Sequence, residues 1–218
     1  MAQPDQDQIV DALLRRHGRT YASEAGIRLG RNTPAPLFQL LCLSLLLSAR
    51  ISADAAVGAS RALRDAGWTT PDKMADSTWE ERTRVLNESG YARYDESTSR
   101  MLAQTVETLN DTYGGDLRQL REAADHDPAE ERRLLQDFTG IGQVGASIFS
   151  REVQLVWDEQ YPYADDRALE SAERLGLGSD VAALERHTDG AELFTRLVAA
   201  LVRSGLADDH DEIVADAA

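Results

Sequence analysis

The stretch Phe138-Thr139-Gly140-Ile141-Gly142-Gln143-Val144-Gly145-Ala146 decides how this chain folds. Ahead of it, Leu134, Leu135 and Phe138 give a helix an apolar end. Gly140 and Gly142 then bracket one apolar residue, which is how a backbone makes a tight hairpin through conformations that other residues resist. Beyond the hairpin, Val144, Ser147 and Ile148 recur at helical spacing, with small Gly145 and Ala146 between them. A helix, a hairpin and a second helix deliver free backbone N–H groups at a helix N-terminus, a site suited to an anion such as a phosphate. The competing reading is an ordinary corner between core helices, where the glycines only turn the chain.

Composition narrows the setting. With 218 residues, 42% of them hydrophobic, the chain can bury a sizeable core and is not disordered. The longest uncharged apolar stretch, Leu37 to Ala49, is too short for a membrane span and reads as a buried helix. Asp5, Asp7 and Asp11 near the start leave no basic region for a secretory signal, so a cytoplasmic protein with no membrane partner is expected. Cys42 is the single cysteine, which excludes an internal disulfide and a four-cysteine iron–sulfur cluster. His17, His126, His187 and His210 are scattered without metal-ligand spacing, so no cofactor is expected.

The net charge of −15 opposes a nucleic-acid partner, because affinity for phosphates rests largely on basic side chains. Residues 138 to 150, however, carry no charged side chain, so the acidic coat has a gap at the hairpin. Lys73 is the only lysine among 23 basic residues. An even acidic coat with so few lysines points to a salty, halophile-like cytoplasm, where charges are screened over about 3 Å at ~1 M salt. A nucleic-acid mimic or a protein-binding module is the alternative reading of that charge.

Periodicity and punctuation make the chain almost wholly helical. Helical segments are expected over residues 5–17, from 52 to about 66, from 77 to Gly90, and from Tyr94 to Tyr113. Others are expected over residues 116–124, 130–138, 144–156, from Asp165 or Asp166 to Leu175, 181–186 and 191–203. Asp125 to Pro128 reads as a loop, and Asp208-Asp209-His210-Asp211-Glu212 as a solvated acidic tail. Trp68, Trp79 and Trp157 read as core or interlobe anchors rather than base-stacking groups.

The order of these pieces resembles the helix-hairpin-helix DNA glycosylase superfamily, in particular endonuclease III. The likeness begins at Leu45-Leu46-Leu47-Ser48-Ala49-Arg50-Ile51-Ser52-Ala53-Asp54 and continues through Glu88-Ser89-Gly90-Tyr91. It then runs through the hairpin to Tyr163-Ala164-Asp165-Asp166-Arg167 and the Arg174-Leu175-Gly176-Leu177 that follows. The resemblance implies an all-α fold of two helical lobes, residues 33–156 and residues 1–32 plus 157–218, with a DNA-binding cleft between them. The implied partner is double-stranded DNA carrying a lesion or mismatch, and the implied state is a monomer.

Residue by residue, the resemblance gives the DNA phosphate to Gly140, Gly142, Val144 and Gly145, and an alkali cation to the carbonyls of Gln136, Phe138 and Ile141. Arg50 falls where the family fills the hole left by a flipped base, and Arg93 and Tyr94 where an aromatic wedges into the stack. Tyr91 is open between that wedge role and core packing. Asp165 matches the catalytic aspartate, while its bland reading is a helix cap; the resemblance leaves the cap to Asp166. Two departures stand out. The Schiff-base lysine falls on Val144, and Lys73 lies far from the hairpin in sequence, so a lyase step lacks its amine. The cluster-ligating cysteine loop has no counterpart either. The expected activity is therefore base-excision repair by a monofunctional DNA N-glycosylase, with a non-catalytic DNA or lesion binder as the alternative.

Overall fold

Capping side chains and prolines set where the helices of this chain begin. In the computed structural model, which describes residues 4–218, Asp5 and Gln8 exchange bonds in a capping box that opens α1 (Gln6–His17). The chain passes through α2 (Tyr21–Ala25) and a short 3-10 turn to α3 (Pro34–Ser48), which has Pro34 at its first position. Ser52 caps α4 (Ala53–Asp65), Thr70 caps α5 (Pro71–Ala75), and Thr78 with Glu81 makes a second capping box on α6 (Trp79–Leu86). A π-turn over Asn87–Tyr91 follows, and the helical winding breaks at Gly90 (φ 90°), where a helix end was expected, before α7 (Asp95–Tyr113).

Next come α8 (Leu117–Ala123) and α9 (Pro128–Leu135). The expected loop before α9 is shorter than read, because Asp127 caps the N–H groups of Ala129 and Glu130 and Pro128 takes the first helical position. Then follow α10 (Gln143–Val153), α11 (Asp166–Arg174), α12 (Val181–Glu185), α13 (Ala191–Ala207) and α14 (His210–Ala217). Among the described residues there is no strand, and the class is all-α.

The chain divides into two compact units. The central unit is Ala22–Glu159; the terminal unit joins the chain up to Tyr21 with Gln160–Ala218. Residues 22–32 thus belong with the central unit rather than with the chain's ends. The reason is local: the Ala22 N–H donates to the buried Glu152 carboxylate at 3.2 Å, and Trp157 Nε1 donates to Asn32 Oδ1 at 3.2 Å.

In the central unit α3 is apolar on every face, with Leu37, Phe38, Leu40, Leu41, Leu43, Leu45 and Leu46 all buried. Such a helix must be enclosed, and α4, α8 and α10 pack against it. Cys42 lies in the same helix, where burial pushes its thiol up to about 12, so it is an inert core group. Trp157 is fully buried and meets Phe149 edge-on at 5.6 Å, while Trp68 and Trp79 are only half-buried.

The terminal unit packs α1 and α11 against α13 and α14 against α1, with Leu13, Ala168, Phe194, Leu197, Leu201 and Ile213 in its core. Here the expected solvated tail is corrected. Asp209 is 8% exposed and accepts from Ser204 Oγ at 2.7 Å, with His17 Nε2 at 2.8 Å and Arg16 Nε at 3.1 Å. Buried Ile213 gives the segment an apolar face, so it docks as α14 instead of remaining in solvent.

Beneath α8 and α9 a carboxylate is held by two kinds of partner. Arg121 grips Glu159 through both Nε and Nη2, the second at 2.6 Å, and stacks 5.7 Å from the Trp157 ring centre. Burial opposes ionisation of Glu159, yet hydrogen bonds from Arg121 and then from Glu131 outweigh it and bring the carboxyl to about 2. A carboxyl depressed on folding stabilises the fold above its ordinary value of 4.5 and loses that contribution as pH falls towards about 2. Glu159→Gln is therefore expected to lower the thermal midpoint at neutral pH and to flatten its decline between those two pH values. A midpoint followed by circular dichroism against pH checks this; an unchanged acid limb overturns it.

Candidate nucleic-acid interface

The hairpin is closed by two backbone bonds, Phe138 N–H to the Leu135 carbonyl at 3.3 Å and Ile141 N–H to the Phe138 carbonyl at 3.0 Å. Phe138 and Ile141 are buried and root it in the core, whereas Thr139, Gly142, Gln143 and Val144 face solvent. Gly140 takes φ +87°, and a Cβ there would lie 2.8 Å from Met101 Sδ. Both the backbone conformation and the close neighbour demand glycine.

Gly142 stands at the N-cap of α10 and has no side chain to serve it. The first backbone bond of the helix is Ala146 N–H to the Gly142 carbonyl, at 3.0 Å. Among the described residues, the N–H groups of Gly142, Gln143, Val144 and Gly145 have no backbone acceptor. Four donors at a helix N-terminus, with an uncharged segment around them, match the geometry of an anion cradle. Val144 is 60% exposed beside them.

Gly145 has a second role that its place in the hairpin motif did not reveal. It is buried, and a Cβ on it would lie 2.7 Å from Ser48 Oγ and 3.3 Å from Ile141 Cγ2. The missing side chain lets α10 cross the last turn of α3 closely. A Cβ on Gly140 would lie 3.5 Å from Leu45 Cγ at the same helix end, and buried Tyr91 donates its hydroxyl to the Leu46 carbonyl at 2.9 Å. Tyr91 is thus a core residue, which settles its two readings in favour of packing.

Arg50 lies two residues beyond Ser48, in the exposed turn after α3, and enters no hydrogen bond or ion pair among the described residues. Tyr94 precedes α7, half-buried, with the Arg93 guanidinium 5.4 Å from its ring centre and the Tyr91 ring at 6.5 Å. The end of α3 therefore brings together the hairpin, the Arg50 turn and the tyrosine pair.

Carbonyls of Gln136 and Ile141 receive no backbone hydrogen bond among the described residues, and that of Phe138 takes one and keeps a second lone pair. Neutral oxygens of this kind fit an alkali cation. No cluster of His, Cys, Asp or Glu able to hold a metal occurs among the described residues. Lys73 is exposed in short α5.

Asp165, in the terminal unit, is the N-cap of α11: its Oδ1 accepts the Ala168 N–H at 3.2 Å. The cap expected of Asp166 therefore belongs to Asp165, because Asp165 has the extended backbone (φ −84°, ψ 169°) that a capping residue needs, while Asp166 is already helical. No sequence signal announces the contacts of Ser48 and Met101 with hairpin glycines, since both come from distant helices.

No family model matches the chain, and no curated protein matches it. Two solved structures align with it, both at 17% identity over 75% of this chain and 71% of the other. One is a trapped endonuclease III–DNA covalent intermediate in an estranged-adenine complex, with a TM-score of 0.47; the other is a non-covalent endonuclease III–DNA complex, with a TM-score of 0.48.

The three glycines are expected to respond differently to alanine. Gly142 has φ −90°, and nothing lies within 4 Å of where its Cβ would sit, so Gly142→Ala should leave stability nearly unchanged. Gly140→Ala and Gly145→Ala should each cost about 1–3 kcal/mol from backbone strain or overpacking. Ser48→Ala should recover part of the Gly145→Ala loss. Chemical denaturation of the set checks this ranking, and equal effects at all three sites would refute it.

Proposed function

We propose that this chain is a DNA N-glycosylase that grips duplex DNA with its helix-hairpin-helix and hydrolyses the glycosidic bond of a damaged or mismatched base. The observation that carries the reading is the row of free N–H donors from Gly142 to Gly145 at the head of α10, flanked by no charged side chain. Backbone donors bind phosphate without reading sequence, as a protein that surveys any DNA requires. An alkali cation on the carbonyls of Gln136, Phe138 and Ile141 would add positive charge beside that phosphate. Arg50, exposed and without an ion pair among the described residues, has the planar donors to fill the space of a base rotated out of the stack, and Tyr94 with Arg93 the aromatic surface to hold the duplex open.

Asp165 supplies the carboxylate. As the bond from C1′ to the base nitrogen breaks, positive charge builds on the sugar and is stabilised by the aspartate; water adds to C1′, and its proton leaves with the base. Val144 carries no amine and cannot form an imine, so the product is an intact strand with an abasic site. The same reading makes the protein a cytoplasmic monomer that works without an iron–sulfur cluster, its acidic coat suited to high salt.

A non-catalytic lesion binder is the second reading, favoured by one observation: Asp165 already spends one oxygen on the cap of α11. Asp165→Asn separates the two, because asparagine caps a helix as well as aspartate does. Labelled duplexes carrying uracil, oxidised pyrimidines, alkylated purines or mismatches would be incubated from dilute to molar KCl, with and without hot alkali. Strand breaks only after alkali, reduced at least about a hundredfold in Asp165→Asn, are expected. Breaks without alkali would overturn the monofunctional reading, and binding with no product on any lesion would favour the binder. Gly142→Glu, which places a carboxylate in open space over the donors, is expected to abolish DNA binding while leaving the thermal midpoint in place.

A further inference from the structure

A cavity of about 320 Å³ opens in the terminal unit, lined from α11, the end of α13 and the start of α14. None of its residues has a part in the glycosylase reading. Arg167, Glu170 and Arg174 are spaced three and four apart on α11, so two guanidinium groups share the face that lines it. Arg167 is exposed and enters no ion pair among the described residues, while Arg174 is tied to Asp208 at 2.9 Å. Leu206, 53% exposed, supplies an apolar wall.

Two buried polar groups complete the lining. Ser171 is 2% exposed and His210 4%, with Ser171 Oγ 2.9 Å from His210 Nε2. His210 Nδ1 is buried without a hydrogen-bond partner among the described residues; Asp208 Oδ1 lies 3.9 Å away, too far to serve. Burial, then the charge of Arg174, holds the imidazole below its ordinary range, so it is neutral at pH 7. A neutral ring carries one N–H, and a buried N–H without an acceptor costs more than a bare lone pair. The proton therefore belongs on Nε2, donated to Ser171 Oγ, which leaves the serine hydroxyl hydrogen available to a ligand.

We propose that this cavity binds a phosphate monoester of mononucleotide size, the phosphate held by Arg167, Arg174 and the Ser171 hydroxyl and the organic portion packed on Leu206. The volume lies at the small end of ligand pockets, which suits a single nucleotide. Glu170 accepts from a sugar hydroxyl. Asp208 is a built-in competitor: it occupies Arg174 and repels the incoming phosphate. Such a monoester occurs in a free nucleotide and at the phosphorylated end of a broken strand.

Calorimetric titration of the full chain tests the site with thymidine monophosphate, thymidine, and nicked duplexes with or without a terminal phosphate at the nick. Phosphate-dependent binding is expected, weakened about tenfold or more by Arg167→Gln, the loss of one charge-assisted contact. Asp208→Asn should tighten it several-fold by freeing Arg174, and asparagine tolerates the left-handed backbone at this position (φ 54°). Binding of the mononucleotide would identify a free nucleotide as the source, and binding of the phosphorylated nick alone a strand end; both support the site if they depend on Arg167. Binding indifferent to the phosphate, no binding of either probe, or phosphate binding unaltered by both substitutions overturns it.

Discussion

The enclosure of the last turn of α3 is the constraint on which the hairpin depends. Leu45 and Leu46 are buried there, and each apolar side chain removed from water contributes about 1.5–3 kcal/mol. Around that turn Gly140 approaches Leu45, Gly145 approaches Ser48, and Tyr91 satisfies the Leu46 carbonyl. The close crossing at Gly145 orients the head of α10, and so determines where its free N–H groups face. A hairpin resting on a bulkier residue would keep its donors but aim them elsewhere.

Charge is the harder constraint on the proposed function, since a chain of net charge −15 would meet a polyanion at a disadvantage. The hairpin presents neutral donors: N–H groups and a helix dipole favour an anion, and Gly142 at the N-cap has no side chain to occupy them, unlike Asp127 on α9 or Asp165 on α11. Elsewhere most acidic side chains lie on the surface, and the buried ones, Glu131, Glu152 and Asp209, lie in the interior of their units. Asp209 faces Arg16 and His17, and Glu152 takes the Ala22 N–H. Interior acids thus hold the fold together, and the uncharged window at residues 138–150 stays clear of them.

Much of the architecture was legible because its signals are local. Gly-Ile-Gly between apolar helices, the prolines at 34 and 36, and Ser52 as a cap each act within a few residues of chain. What escaped reading is non-local. The tail at 208–212 looks solvated by composition, and the partners Asp209 finds in Ser204, His17 and Arg16, with the burial of Ile213 beyond it, dock the segment instead. The close fit of Gly145 against Ser48 joins residues far apart in sequence, and so does the meeting of Ser171 with His210. Periodicity records which face a helix buries and carries no trace of which helix covers it.

The cap made by Asp165 is compatible with the chemical role proposed for it. A carboxylate has two oxygens and about four lone-pair sites, and the cap of α11 engages Oδ1 through the Ala168 N–H. That bond restricts the rotation of the side chain, and a group that must face a developing cation gains from being oriented beforehand. An aspartate free of the helix would have to be ordered during the reaction, at an entropic cost that the cap has already met during folding. Under the proposed reading, capping would serve as positioning for catalysis, so the sequence position that makes the bland reading plausible is compatible with the chemical one.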